Sequence, residues 1–340
     1  TTYFIAPYFE DFEGLSSTIE GGAFGNGWVD VSSTIFDWHS NTGSTGSSNT
    51  GPNGDHTTGS GIYVYSEASN GSTGDTAILE SPFVDISSLN NPYLSFWYHR
   101  HGADYLTGYI DIWDGSSWTT IDSIVGETQT AESDPYLERE LDLSSYSGDV
   151  KFRFWHIKDG FGADWAIDDV EIFNKPNDDI GVVGFIGDTV LCGDSNTTIS
   201  VIIENFGLAD QSGFDVTVDW TGSTTGSSSI TYNGTLVAGT TDTVNIDTLN
   251  TVVGGTFSLE AYTTLSGDAV ISNDTAIVPT VTFTPLPATP SLPSMVSACN
   301  GTDTTLVVSS TTAEVVNWYD AGMNLLTSGD SASFTINQAD

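Results

Sequence analysis

The chain has 340 residues, 38% of them hydrophobic, and carries 45 acidic against 6 basic side chains for a formal net charge of −39. Nucleic-acid binding needs clustered cations to displace counterions, and docking on anionic lipid needs them as well, so this composition excludes both. A chain of this length is expected to hold two or three domains.

Ser, Thr, Gly and Asn are abundant, which suits short strands joined by turns, and few stretches have the composition of a long helix. The basic residues, Arg100, Arg139, Lys151, Arg153, Lys158 and Lys175, all fall between 100 and 175. So acidic a surface tolerates a salty, calcium-bearing medium and stays soluble by self-repulsion. A halophilic cytoplasmic protein is the alternative. Two cysteines, Cys192 and Cys299, exclude a disulfide framework and a Cys-rich zinc site. No run of about twenty apolar residues predicts a membrane span. The opening Thr1-Thr2-Tyr3-Phe4 has no signal-peptide pattern and suits a processed N-terminus.

In chain order, the aromatic-rich first part runs to about residue 175. The nearly all-polar stretch from Ser40 to Ser60 is predicted to be a long loop of the functional, ion-stabilised or mobile kind. Alternating strands are expected at Gly61–Tyr65, Tyr93–Tyr98, Tyr109–Trp113, Val150–His156 and Trp165–Ile172. In the Val150 strand, Phe152 and Phe154 share one face and Lys151, Arg153 and Trp155 the other. Such strands, punctuated by Gly, Asn and Asp, predict a two-sheet sandwich.

Asn174–Asp179 reads as a linker. A second β module follows, with strands at Thr198–Ile203, Phe214–Trp220 and Thr256–Tyr262 and turns at Asn205-Phe206-Gly207 and Tyr232-Asn233-Gly234. Its size suits an immunoglobulin-like domain. Pro285, Pro287, Pro290 and Pro293 then stiffen a connector. Cys299 to Asp340 looks like the first half of a third module, with Asn317–Asp320 as a strand bearing its core aromatic. That is a small core for independent folding, so the natural chain is expected to continue.

The first part resembles the MAM domain, an extracellular jelly roll. The matching pieces are Glu10-Asp11-Phe12-Glu13, Trp28, Trp38, Gly51-Pro52 through Asp55-His56-Thr57 to Tyr63, Leu79-Glu80-Ser81-Pro82, Leu94–His99 and Ala166–Val170. Animal MAM domains carry cysteine pairs and this stretch has none, which points to a bacterial version. Residues 178–283 resemble CARDB-type Ig-like modules, and the tail resembles another Ig-like repeat of Bacteroidota secreted proteins. The resemblance therefore implies an all-β chain: a jelly-roll β-sandwich over 1–175, an immunoglobulin-like β-sandwich over 176–285 and a partial Ig-like module over 286–340.

In related jelly rolls a structural ion ties the N-terminal strand, a polar loop and the last strand together. By that resemblance Glu13, Asp55, Asp168 and Asp169 would hold a structural Ca2+, with Asp11 as a substitute; calcium takes six to eight hard oxygens. The bland reading is a solvated acidic cluster. His99, His101 and His156 offer zinc no evident third ligand. Carboxylates are too abundant to single out a catalytic pair, and no G-x-S-x-G elbow is present. Trp113, Trp118, Trp155 and Trp165 could stack on sugar rings. Nine Asp-Ser/Thr dipeptides are similar to the O-glycosylation acceptor of Bacteroidota secreted proteins, which would place glycans on Thr76, Ser123, Thr189, Thr243, Thr248, Thr275 and Ser331.

The expected function is a non-catalytic adhesion or binding segment of a larger bacterial protein, cell-surface or secreted. It would be exported by the type IX secretion machinery, as an adhesin of the gliding kind, and would meet an extracellular protein or glycan ligand. The alternative is the accessory, carbohydrate- or polymer-binding region of a secreted peptidase or glycoside hydrolase.

Overall fold

The computed structural model describes residues 2–15, 19–186, 190–192, 197–251, 254–285, 303–307, 317–319, 322–329 and 331–335. Every regular element among them is a strand, so the fold is all-β. No helix there is long and apolar enough to cross a membrane. The chain divides into two compact units, residues 1–176 and 177–340.

Unit 1 contains β1 (Tyr3–Ile5), β2 (Tyr8–Glu10), β3 (Ala23–Gly25), β4 (Trp28–Asp30), β5 (Trp38–Asn41), β6 (Tyr63–Ser66) and β7 (Thr76–Glu80). It continues with β8 (Phe83–Asp85), β9 (Pro92–His99), β10 (Gly108–Trp113), β11 (Trp118–Ile124), β12 (Leu137–Asp142), β13 (Asp149–Ile157) and β14 (Ala166–Asn174). One sheet runs β1-β8-β13-β7-β4-β3, with β10 on the other edge of β13 and β11 beyond it. The second runs β12-β9-β14-β6-β5, with β2 on β14.

Period-two alternation supplies the core between these sheets. Val150, Phe152, Phe154 and His156 of β13 are buried, while Lys151, Arg153 and Trp155 stay partly exposed on the opposite face. Trp28, Trp38 and Trp165 are the largest buried rings. The Trp28 indole donates to Tyr8 Oη at 2.8 Å, so a buried N–H is satisfied without water. Truncating such a ring costs about 3–5 kcal/mol.

The polar stretch 40–60 begins in β5 and is otherwise irregular. It is nonetheless packed: Thr45, Thr50 and Asp55 are buried within it. Thr45 Oγ1 donates to Thr50 O at 2.8 Å, and Thr50 Oγ1 accepts from Asp164 N at 3.1 Å. Hydrogen bonds order a segment whose only apolar side chain, Pro52, is buried with them.

Unit 2 opens with β15 (Ile180–Ile186), β16 (Val190–Cys192), β17 (Thr197–Asn205), β18 (Phe214–Gly222), β19 (Gly226–Tyr232), β20 (Thr241–Leu249), β21 (Gly255–Thr264) and β22 (Thr275–Thr284). They form a three-stranded sheet β15-β17-β20 and a five-stranded sheet β16-β22-β21-β18-β19. Ile180, Val201, Ile203, Val216, Val218 and Ala261 are buried in its core. The expected Asn205-Phe206-Gly207 turn is held by Asn205, which donates to Ala209 O and Leu236 O and accepts from Gly207 N. A Cβ at Gly207 would lie 2.3 Å from Asn177 O, so the turn requires glycine.

The tail contributes β23 (Asp303–Val307), β24 (Asn317–Tyr319), β25 (Leu325–Ser328) and β26 (Ser331–Thr335), paired β23–β26 and β24–β25. Trp318, expected as a core aromatic, is half-buried and donates its indole N–H to Gly329 O at 2.8 Å. The side chains of Cys192 and Cys299 lie outside the described residues.

Candidate functional site: an acidic cavity and an aromatic sheet face

Two features of unit 1 concentrate chemistry. The first begins in β14. Its pairing with β9 runs in register to Asp168↔Trp97 and resumes at Glu171↔Ser95, so one extra residue bulges there. Asp169 takes a positive φ of 44°. On its other edge β14 pairs with β6 before the bulge and with β2 after it. The bulge therefore sits where one neighbour hands over to the next and turns both carboxylates toward loop 40–60.

Phe12 also has a positive φ, 56°. Its fully buried ring packs edge-on against Trp28 with centroids 5.4 Å apart, and the flanking Asp11 and Glu13 face outward. Glu13 accepts from Ile62 N at 2.7 Å. Asp55 accepts from Thr58 N at 2.8 Å and Gly61 N at 2.5 Å. Asp168 accepts from His56 N at 2.9 Å, and Asp169 meets His56 Nδ1 at 2.6 Å and Thr57 Oγ1 at 2.5 Å.

The four predicted ligands thus come together. Asp11, Glu13, Asp55, Asp168 and Asp169 line one cavity of about 120 Å³ with Phe9, Thr57 and Thr58. Burial pushes the Asp168 carboxyl up to about 8, helped by the neighbouring Asp169 and Asp55 charges and opposed by the His56 N–H. For Asp55, burial works upward too, but the Thr58 and Gly61 donors outweigh it and hold the carboxyl below its ordinary value.

The donor set is all hard oxygen, which fits calcium rather than zinc. However, among the described residues no three or more His, Cys, Asp or Glu side chains are already gathered to hold a metal ion. Each predicted ligand is turned onto a donor of its own, and an ion would have to draw them inward.

The second feature is the outer face of the β11-β10-β13-β7 sheet. Register places Trp155 beside Tyr109, Arg153 beside Asp111, and Trp113 beside Trp118. Trp155 and Tyr109 stack with centroids 4.4 Å apart, and Trp113 and Trp118 sit 5.7 Å apart. Between these pairs Asp111, only 2% exposed, accepts from Arg153 Nε at 2.7 Å, Trp155 Nε1 at 2.9 Å and Thr120 Oγ1 at 2.6 Å. The Arg153 guanidinium lies 4.5 Å over Trp118. Lys151 pairs with Glu80 at the margin. The buried carboxylate therefore fixes the Trp155 indole, on which Tyr109 stacks, and the Arg153 guanidinium that lies over Trp118.

Three of the four tryptophans singled out for stacking lie on this face. Trp165 does not: it is fully buried between Trp38 and Phe154. Sequence reasoning missed Tyr109, Asp111 and Arg153 as its partners, although the alternation of β10 and β13 carries them.

The histidines do not converge. His99 and His156 are fully buried; burial lowers His99 to about 4 and His156 well below its ordinary value. His156 Nε2 meets Ser66 Oγ at 2.7 Å, but both are fully buried and this Ser–His pair is out of reach of a substrate. His101 pairs with Glu127 at 2.9 Å.

Of the residues expected to carry glycans, Ser123, Thr243, Thr248 and Thr275 are exposed and Thr76 is half-buried. Thr189 and the Ser331 side chain lie outside the described residues.

Residues 18–177 match the family model of the MAM domain, meprin/A5/mu. Over 108 residues the chain is 32% identical to MAM domain-containing protein 2 of Homo sapiens, covering 32% of this chain and 15% of that protein. Among solved structures, a cleaved adhesin domain of Lys-gingipain from Porphyromonas gingivalis overlaps 50% of this chain and 99% of its own, at 18% identity and a TM-score of 0.35. A β-glucuronidase of Bacteroides uniformis overlaps 75% of this chain and 32% of its own, at 10% identity and a TM-score of 0.33.

Proposed function

We propose that the chain is a non-catalytic adhesion or binding segment of a larger bacterial protein, held at the cell surface or secreted. Unit 1 serves as a MAM-type jelly roll and the following β modules as spacers. The observation that carries this reading is the outer face, where Trp155, Tyr109, Trp113 and Trp118 stand half-exposed over a buried Asp111. Rigid Trp, Tyr and Arg side chains are what binding surfaces use for energy. Export by the type IX machinery of Bacteroidota belongs to the same proposal and rests on the sequence resemblance.

Structural calcium in the acidic cavity is the second part of the proposal. When bound, the ion would supply positive charge that lets Asp168 ionise at neutral pH. Glu13 would bring the N-terminal segment, Asp55 the polar loop, and Asp168 and Asp169 the last strand. Glycans on the exposed Thr243, Thr248 and Thr275 complete it; Ser123 pairs with Tyr109 on the binding face, where a glycan would cover the rings.

A docking role within a secreted peptidase or glycoside hydrolase uses the same face, and the flanking domains of the gene product separate the two. The direct test is retention of the 340-residue chain on a panel of matrix proteins and polysaccharides immobilised on beads. Saturable retention on a polymer of either class is expected. Retention on none would contradict the reading.

A further inference from the structure

We propose that the outer face of the β11-β10-β13-β7 sheet binds a neutral polysaccharide, laid across two aromatic rows separated by the Arg153–Asp111–Thr120 row. The proposal rests on the reading of this face as the binding surface and names its ligand.

Geometry sets the shape of the occupant. Adjacent strands stand about 4.8 Å apart, and same-face residues along a strand recur at about 6.7 Å. The Trp155–Tyr109 pair and the Trp113–Trp118 pair are thus two rungs apart, with the polar row between them. Every ring of an extended pyranose chain offers an apolar C–H face, with equatorial hydroxyls along its rim, so separated rings can stack on the two aromatic rows while hydroxyls between them meet the polar row. Asp111 is saturated by Arg153, Trp155 and Thr120, so Trp155, and Trp118 beneath the Arg153 guanidinium, are held before any ligand arrives. Preorganisation of that kind lowers the ordering cost of binding.

Charge selects among occupants. The whole chain carries −39, yet on this face Arg153 is matched by Asp111 and Lys151 by Glu80. A polyanion gains nothing from cations already paired and is repelled by the rest of the molecule. A basic protein finds stronger attraction elsewhere on so acidic a surface. A second copy of this chain brings another −39. An uncharged polymer meets none of these penalties.

Affinity electrophoresis of the full chain through gels containing laminarin, xyloglucan, galactomannan or dextran, with alginate as the anionic comparison, tests this. The expected result is retardation by at least one neutral polymer and not by alginate. It should persist from about 0.05 to 0.5 M salt, because screening leaves a neutral ligand untouched. Trp155→Ala and Trp113→Ala should each weaken it about tenfold, equivalent to about 1.4 kcal/mol. Thr120→Arg, at an exposed position that leaves the core intact, should abolish it and covers the case in which a tryptophan variant fails to fold. Binding to no neutral polymer, or binding that survives Thr120→Arg, overturns the proposal. Retention only on matrix proteins also overturns it while leaving the adhesion reading standing, and so does self-association lost in Trp155→Ala.

Discussion

Gly61 and Glu13 occupy space that only a glycine allows them to share: a Cβ at position 61 would lie 1.8 Å from Glu13 Oε1 and 2.9 Å from an Asp55 oxygen. Through this contact Glu13 reaches Ile62 N and ties the N-terminal segment to the entrance of β6. Gly61→Ala should push Glu13 aside and cost about 1–2 kcal/mol. A double-mutant cycle with Glu13→Ala checks the cause. In the Glu13→Ala background the Gly61→Ala penalty should shrink, and strict additivity would contradict the coupling.

Calcium should raise the thermal midpoint of the full chain and EDTA should reverse the rise. At a hundredfold excess over Kd the ion adds about 2.7 kcal/mol. Asp169→Ala should abolish the response. An identical midpoint in calcium and in EDTA removes the ion from the account.

Asp164 predicts a pH dependence. It is fully buried, its Oδ2 has no hydrogen-bond partner, and Oδ1 accepts from Ala68 N at 2.8 Å. Burial and then the neighbouring Glu67 push its carboxyl from 3.8 to about 7, with Ala68 N, Thr45 and Lys158 opposing. A raised carboxyl binds a proton in the folded state that the unfolded chain has released. Its stabilisation is therefore complete below about 3.8 and lost as pH rises through about 7. In EDTA, Asp164→Asn should flatten the fall in midpoint between those values. A variant that keeps the full slope would assign the effect elsewhere.

Asp111→Ala should remove the anchor of the outer face. It leaves the Trp155 indole and the Arg153 charge without their acceptor, at a cost of about 2 kcal/mol because Arg153 is still partly solvated. Set against a Trp155→Phe chain, which isolates the Trp155 share of the emission from the nine tryptophans, the anisotropy of that share should fall. An unchanged midpoint and anisotropy would show that the rings hold themselves.

Much of this was legible in the sequence, for reasons that differ by residue. The faces of β13 follow from alternation, so Phe154 in and Trp155 out needed no structure. Trp165 is offered for stacking although alternation with Ile167 already turns it inward, and it enters the core beside Trp38. Loop 40–60 reads as a long loop because it is nearly all polar, and the burial of Thr45 and Thr50 by hydrogen bonding leaves no mark in its composition. The convergence of Glu13, Asp55 and Asp168 came from family resemblance, since pairings across 40 to 110 residues leave no local trace. Asp111 was invisible as an anchor, because its burial comes from side chains on β11 and β13.

A binding surface of the proposed kind holds a polymer and leaves it chemically unchanged. Both halves are read together by incubating the full chain with each bead-bound polymer that retains it, then assaying the same tube for bound protein and for new reducing ends or amino termini. Saturable binding with no new ends is the predicted result. Cleavage that rises with bound protein would contradict it.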